Sequence, residues 1–85
     1  MDKTELLQLL IDENNEYVKA HAFYTESTCS EQASVCWLKM LAIRDFIEKT
    51  FGHNAYEYGK CERCTLFGIS FYYRPMEVRK DGVEV

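Results

Sequence analysis

The sequence predicts an α+β domain in which an N-terminal antiparallel helical hairpin packs on a small C-terminal antiparallel β-sheet. Residues 1–51 contain no glycine or proline, and their apolar residues recur every three or four positions, as in amphipathic helices. From residue 55 the pattern changes to alternation, which is typical of strands. The 85 residues fit a single domain, 1–85, with helices over 2–26 and 29–51 and a β-rich part over 55–85.

The second predicted helix, 29–51, is the most apolar segment of the chain. Thr28 and Glu31 match a capping box at its start, and Gly52 suits a stop after its last turn. Residues spaced by three and four positions form one face: Ala33, Trp37, Met40, Arg44, Ile47 and Phe51. Because apolar residues also lie on the flanks of this helix, we expect the sheet to cover one flank.

The first predicted helix, 2–26, can be capped by Asp2 or Thr4, and its stripe contains Leu6, Leu10, Glu13, Tyr17, Ala20 and Tyr24. The short link between the helices predicts an antiparallel hairpin. In one register the two stripes match throughout, and Glu13 then faces Arg44, so we predict an ion pair that fixes the register. The alternative is a catalytic role for Glu13, but the sequence places no second acid, nucleophile or histidine at the same level of the helical hairpin.

The C-terminal part alternates apolar and polar residues between turn signals. Residues 55–59 are short and tyrosine-rich, 60–64 suggest a turn, and Leu66–Tyr73 is expected to be a half-buried strand. Pro75 should break this strand or mark a sheet edge. The Asp81-Gly82 pair predicts a last hairpin between 76–80 and 83–85, which completes a sheet of three or four strands.

Cys61 and Cys64 form a Cys-x-x-Cys pair, which is one half of a structural zinc site. His53 is the predicted third ligand, with Cys29 or His21 as a distant fourth; alternatively, a symmetric dimer could supply two such pairs. A redox dithiol would need the motif at a helix N-terminus, whereas a strand pattern follows it here. The remaining alternative is a tight turn with two inert thiols.

Four tyrosines are concentrated in the predicted sheet, at Tyr56, Tyr58, Tyr72 and Tyr73. Tyrosine is enriched at protein interfaces, although it is also a common strand residue. A small sheet cannot bury all four rings, so these residues are the predicted interface.

The net charge of −4 argues against direct binding to nucleic acid, which uses clustered lysine and arginine. The chain lacks an apolar run long enough to cross a membrane and shows no signal-peptide pattern, so a cytoplasmic location is expected. It also contains neither a catalytic triad pattern nor a glycine-rich phosphate loop.

These features together predict a non-enzymatic protein–protein interaction module without a cofactor, and we expect it to form a homodimer. A small acidic binder of this kind suits a phage or mobile element as an inhibitor of a host enzyme or defence nuclease. The alternative hypothesis is a zinc-stabilised regulatory protein in which the Cys61/Cys64 turn is structural.

Overall fold

A computed structural model describes residues 2–79 and confirms the predicted α+β architecture. Two long helices, α1 (Lys3–Glu26) and α2 (Ser30–Phe51), pack as an antiparallel hairpin. A 3₁₀ turn (His53–Ala55) follows, and then four short strands: β1 (Tyr56–Tyr58), β2 (Glu62–Leu66), β3 (Ile69–Tyr73) and β4 (Met76–Val78). Within this part of the chain, neither helix has the length and apolar character that a membrane span requires.

The outer ends of the two helices have the predicted stop and start signals. The carboxylate of Asp2 accepts the backbone N–H of Glu5 at 2.9 Å and so caps α1. At the end of α2, Gly52 has φ +94° and ψ 168°, a conformation essentially restricted to glycine. Its N–H still donates to the carbonyl of Glu48 at 2.9 Å, which closes the last turn.

The predicted Thr28–Glu31 capping box is wrong, because Thr28 belongs to the end of α1. The N–H of Cys29 donates to the carbonyl of Tyr24 at 2.8 Å, and that of Thr28 to the carbonyl of Thr25 at 3.2 Å. These two bonds form a Schellman motif, with Thr28 in its left-handed position at φ +60°. The N-cap of α2 is therefore Cys29, whose side chain makes no capping hydrogen bond.

The core lies where the two helices meet the strands. Its fully buried side chains are Leu7, Ile11 and Ile47, and Ala55 and Met76 complete the cluster. On α1 the buried stripe thus lies one residue, or about 100° of rotation, away from the predicted stripe. The reason is that α1 packs against both α2 and the strands, so its buried centre lies between the two contacts.

This rotation removes the predicted Glu13–Arg44 ion pair, since it leaves Glu13 on the exposed side of α1. Among residues 2–79 the ion pair between permanently charged side chains is instead Asp45–Lys49, at 2.9 Å, and the Glu48 carboxylate lies 2.7 Å from the Nδ1 atom of His53. The Nη1 atom of Arg44 donates to the hydroxyl of Tyr58 at 3.2 Å, so this arginine connects α2 to β1.

The four strands form two antiparallel pairs, with the β2–β3 hairpin nested between β1 and β4. A two-residue turn at Phe67 and Gly68 divides the segment predicted as one strand, and most of the predicted 60–64 turn belongs to β2. Between the two strand pairs, the three residues 59–61 lie opposite only two residues, 74–75. This extra residue and Pro75 interrupt the ladder of backbone hydrogen bonds, as predicted for this proline. The predicted Asp81-Gly82 turn lies outside the described residues.

The strands pack mainly against α1 and do not cover the flank of α2, contrary to the prediction. Strands β3 and β4 lie along α1, and the side chain of Asn15 makes two hydrogen bonds to the backbone of Met76. From α2, the residues that join the strands in the core are Ile43, Ile47 and Phe51. The side of α2 that faces away from α1 is consequently left exposed.

Candidate functional surfaces

The structure does not bring the three predicted metal ligands together. Cys61 is exposed just before β2, Cys64 lies inside β2 opposite Phe71, and His53 lies in the 3₁₀ turn, where its Nδ1 atom is 2.7 Å from Glu48. Positions three apart in extended chain point to opposite faces, unlike the two thiols of a zinc-binding turn. Among residues 2–79 no three His, Cys, Asp or Glu side chains are grouped so that they could hold a metal ion.

The four predicted interface tyrosines are divided between two strands. Tyr72 of β3 is 66% exposed and Tyr58 of β1 is 48% exposed, whereas Tyr56 and Tyr73 are half-buried. The rings of Tyr56 and Tyr58 are nearly perpendicular, 6.0 Å apart, and Tyr56 packs on the core. Tyr58 and Tyr72 are therefore the most accessible of the four predicted interface residues.

Two side chains on β1 and α2 have shifted pKa values. Burial, with the nearby Glu48 carboxylate, raises the pKa of the Tyr56 phenol. The hydrogen bond to Tyr58 raises the pKa of Arg44. Both shifts hold these groups in their ordinary protonation states at neutral pH, so neither group is prepared to act as a general base.

The tip of the β2–β3 hairpin carries an exposed aromatic side chain on a left-handed backbone. Phe67 has φ +52° and Gly68 has φ +79°, as in a type I′ turn. Asparagine or glycine adopts the first position of this turn easily, whereas a bulky residue there costs about 1–2 kcal/mol. Phe67 is nevertheless 91% exposed, so burial in the free protein does not offset this cost.

An aromatic cluster fastens this hairpin to α1. The ring of Phe23 lies 5.9 Å from that of Phe71 and 6.0 Å from that of Phe67, in both cases edge to face. The ring of Phe71, which is buried, lies 6.2 Å from that of Tyr73. At the buried Phe71 such a pair contributes about 0.5–1.5 kcal/mol beyond area burial and holds the hairpin against α1, whereas the 91% exposed Phe67 gains little from its contact with Phe23. We call its two exposed aromatic residues, Phe67 and Tyr72, the hairpin surface.

A second exposed apolar surface runs along α2. Val35, Leu38 and Phe46 are 52%, 65% and 50% exposed, and Ala42 is exposed between them. Their spacing of three and four residues places them on one side of the helix, away from α1. We call these four residues the outer face of α2.

A cleft of about 380 Å³ opens between the helices near their connecting loop. The rings of His21 and Trp37 lie in its wall, 5.5 Å apart. The described residues that line the cleft carry hydroxyl groups, among them Ser30 and Ser34, but neither a carboxylate nor a thiol, so the lining gives His21 no carboxylate partner.

Of the residues on these two exposed apolar surfaces, only Tyr72 was predicted from the sequence as an interface residue. An isolated glycine inside a strand pattern signals an irregularity in the strand, so Gly68 could have marked the position of the turn. The outer face was visible as apolar flank residues of α2, which were assigned to contact with the sheet.

No protein-family model matches the chain, and comparisons with curated proteins and with solved structures also found no match.

Proposed function

We propose that this protein is a non-enzymatic protein–protein interaction module that binds another protein through its hairpin surface. The observation that carries the proposal is Phe67, which is 91% exposed on a left-handed backbone. A side chain that is strained and unburied in the free protein indicates a role outside the fold itself. Tyr72, exposed on the neighbouring strand, adds a second aromatic contact.

Contact with a partner would bury the apolar side chain of Phe67, which is exposed in the free protein. Full burial of a phenylalanine side chain contributes about 1.5–3 kcal/mol, against about 1–2 kcal/mol for its left-handed conformation. The aromatic cluster around Phe23 holds the hairpin in place, and this lowers the entropy cost of binding. The hairpin surface thus has the properties of a small binding hot spot.

The charge of the chain favours a basic partner. With a net charge of −4, long-range attraction speeds encounter with a positively charged protein. Enzymes that act on nucleic acid carry such surfaces. A host enzyme or defence nuclease inhibited by a protein of phage or mobile-element origin remains the proposed setting.

Substitution of Phe67 by asparagine tests the proposal, because it should change stability and binding in opposite directions. Asn-Gly is the preferred pair in a type I′ turn, so Phe67→Asn should raise the free energy of unfolding by up to about 1 kcal/mol. The same change should weaken partner binding at least about tenfold, since it removes the central aromatic contact. Stability is measured by urea unfolding, and binding by calorimetry with the purified partner.

The partner is obtained by affinity capture from an extract of the natural host and then reconstituted with the purified protein. Val35→Asn, an equally polar change on the outer face of α2, is the matched control and should leave binding to the captured protein intact. A reconstituted complex that tolerates Phe67→Asn, or failure to reconstitute any complex, would contradict the proposal.

A further inference from the structure

The outer face of α2 carries opposite charges at its two ends. Glu31 precedes its apolar residues by one turn, and Lys49 follows them by about one turn. Ala33, Cys36 and Ile47 are buried on the other side of the helix, so the outer face has no cover within residues 2–79. An apolar strip bounded by one negative and one positive end is complementary to a reversed copy of itself.

We propose that a second copy of this chain packs antiparallel on the outer face of α2 and forms a two-fold symmetric dimer. In the register that the charges select, Glu31 faces the partner's Lys49, and Leu38 faces the partner's Ala42. A large side chain then meets a small one, which allows close packing of the helices. Two-fold symmetry repeats the Glu31–Lys49 pair at both ends.

A parallel arrangement is disfavoured by the same charges. It would place Glu31 beside the partner's Glu31 and Lys49 beside the partner's Lys49, and like charges at such positions are destabilising. The exposed Asp45–Lys49 pair does not prevent the antiparallel arrangement, since Lys49 can contact carboxylates on both chains.

The interface is short, and the dimer should accordingly be weak. From Glu31 to Lys49 the helix is about 27 Å long, and one helix face buries less than the roughly 800 Å² per partner of a standard interface. We therefore expect a dissociation constant in the micromolar range. Because the β2–β3 hairpin packs on α1, the two hairpin surfaces stay free, and this inference goes beyond the proposed function.

Charge-reversal variants test the dimer and its direction. Sedimentation equilibrium over protein concentrations from about 1 to 500 µM should show a reversible dimer for the unmodified chain, and Leu38→Glu should abolish it. Glu31→Lys alone and Lys49→Glu alone should each weaken the dimer about tenfold, because both end pairs become repulsive. An equimolar mixture of the two variants should dimerise like the unmodified chain, since both end pairs are attractive again.

Phe67→Asn and Tyr72→Ser are controls that should leave dimerisation unchanged, so that loss of partner binding and loss of self-association can be told apart. Circular dichroism of each variant verifies that the helices are intact. A chain that stays monomeric up to about 500 µM would overturn the inference, because a micromolar dissociation constant implies mostly dimer at that concentration. A dimer that tolerates Leu38→Glu would also overturn the inference. The same holds if the dissociation constant of the dimer is unchanged in both Glu31→Lys and Lys49→Glu.

Discussion

At the scale of single residues, Asn15 shows how a polar side chain can join the two halves of the fold. Its Nδ2 atom donates to the carbonyl of Met76 at 2.8 Å, and its Oδ1 atom accepts the Met76 N–H at 2.7 Å. The amide thus satisfies the backbone of β4 as a neighbouring strand would. The adjacent Asn14 is 2% exposed and lies 4.0 Å from the sulfur of Met76.

Asn15→Ala should lower the free energy of unfolding by about 2–3 kcal/mol, because two hydrogen bonds are lost and a partly buried N–H and carbonyl are left unpaired. Urea unfolding monitored by circular dichroism measures the change. Gln8→Ala, which removes an exposed hydrogen bond to Asp12 on the same helix, should cost less than about 0.5 kcal/mol and serves as the control. A loss below 1 kcal/mol for Asn15→Ala would show that the strand is held to α1 mainly by apolar packing (this threshold is about one net hydrogen bond).

At the scale of elements, the connection between the helices depends on how α1 ends. Thr28 occupies the left-handed position of the Schellman motif at φ +60°, where a β-branched residue is strained and glycine is usual. The Thr28 hydroxyl donates to the carbonyl of Ser27 at 2.6 Å, a local contact that caps neither helix. The hairpin therefore closes through backbone hydrogen bonds of α1, and α2 begins without a side-chain cap.

Thr28→Gly should raise the free energy of unfolding by about 1 kcal/mol, because the left-handed position no longer carries a side chain. Thermal unfolding measures the gain as an increase in Tm. Ser30→Gly, two residues later at the first position of α2, should instead lower stability by up to about 1 kcal/mol. If Thr28→Gly also lowers the Tm, Thr28 contributes as a cap after all.

At the scale of the whole molecule, stability above pH 9 should depend on the phenol of Tyr56. Burial raises the pKa of this phenol in the folded protein above its ordinary value near 10. Folding is thus favoured while the phenol is protonated. This contribution is complete below the ordinary pKa and is lost as the pH rises through the folded-state value.

Tyr56→Phe should therefore reduce the loss of stability at high pH while preserving the ring that packs on the core. The measurement is the urea midpoint of both proteins between about pH 8.5 and 11.5, a window that spans the ordinary tyrosine pKa. The difference between the two proteins isolates Tyr56 from other groups that titrate in this range. Parallel pH profiles would mean that ionisation of Tyr56 does not influence folding.

The candidate surfaces were only partly accessible from the sequence. The tyrosines of the sheet were recognised, and Tyr72 is exposed as an interface residue must be. Their role in binding stays a prediction. Phe67 lay inside a predicted continuous strand, Leu66–Tyr73, because alternation alone does not show where a chain reverses direction. The outer face of α2 was missed because the sheet was expected to cover it.

The sequence by itself determined the two helices, their antiparallel arrangement and the β-rich character of the C-terminal part. Unbroken helical periodicity, the absence of glycine and proline before residue 52 and a short link are local properties, and they are sufficient for an antiparallel helical hairpin followed by strands. The helix ends at Asp2 and Gly52 were likewise readable from the sequence, because caps depend on a few neighbouring residues.

Only the tertiary structure decided which faces are buried. Both helices carry apolar residues on more than one side, and the choice between them depends on contacts between residues distant in the chain. Packing of β3 and β4 against α1 rotated its buried stripe to Leu7 and Ile11, exposed Glu13 and left the outer face of α2 open. Periodicity specifies the candidate faces of an element, but the combined packing of all elements selects among them.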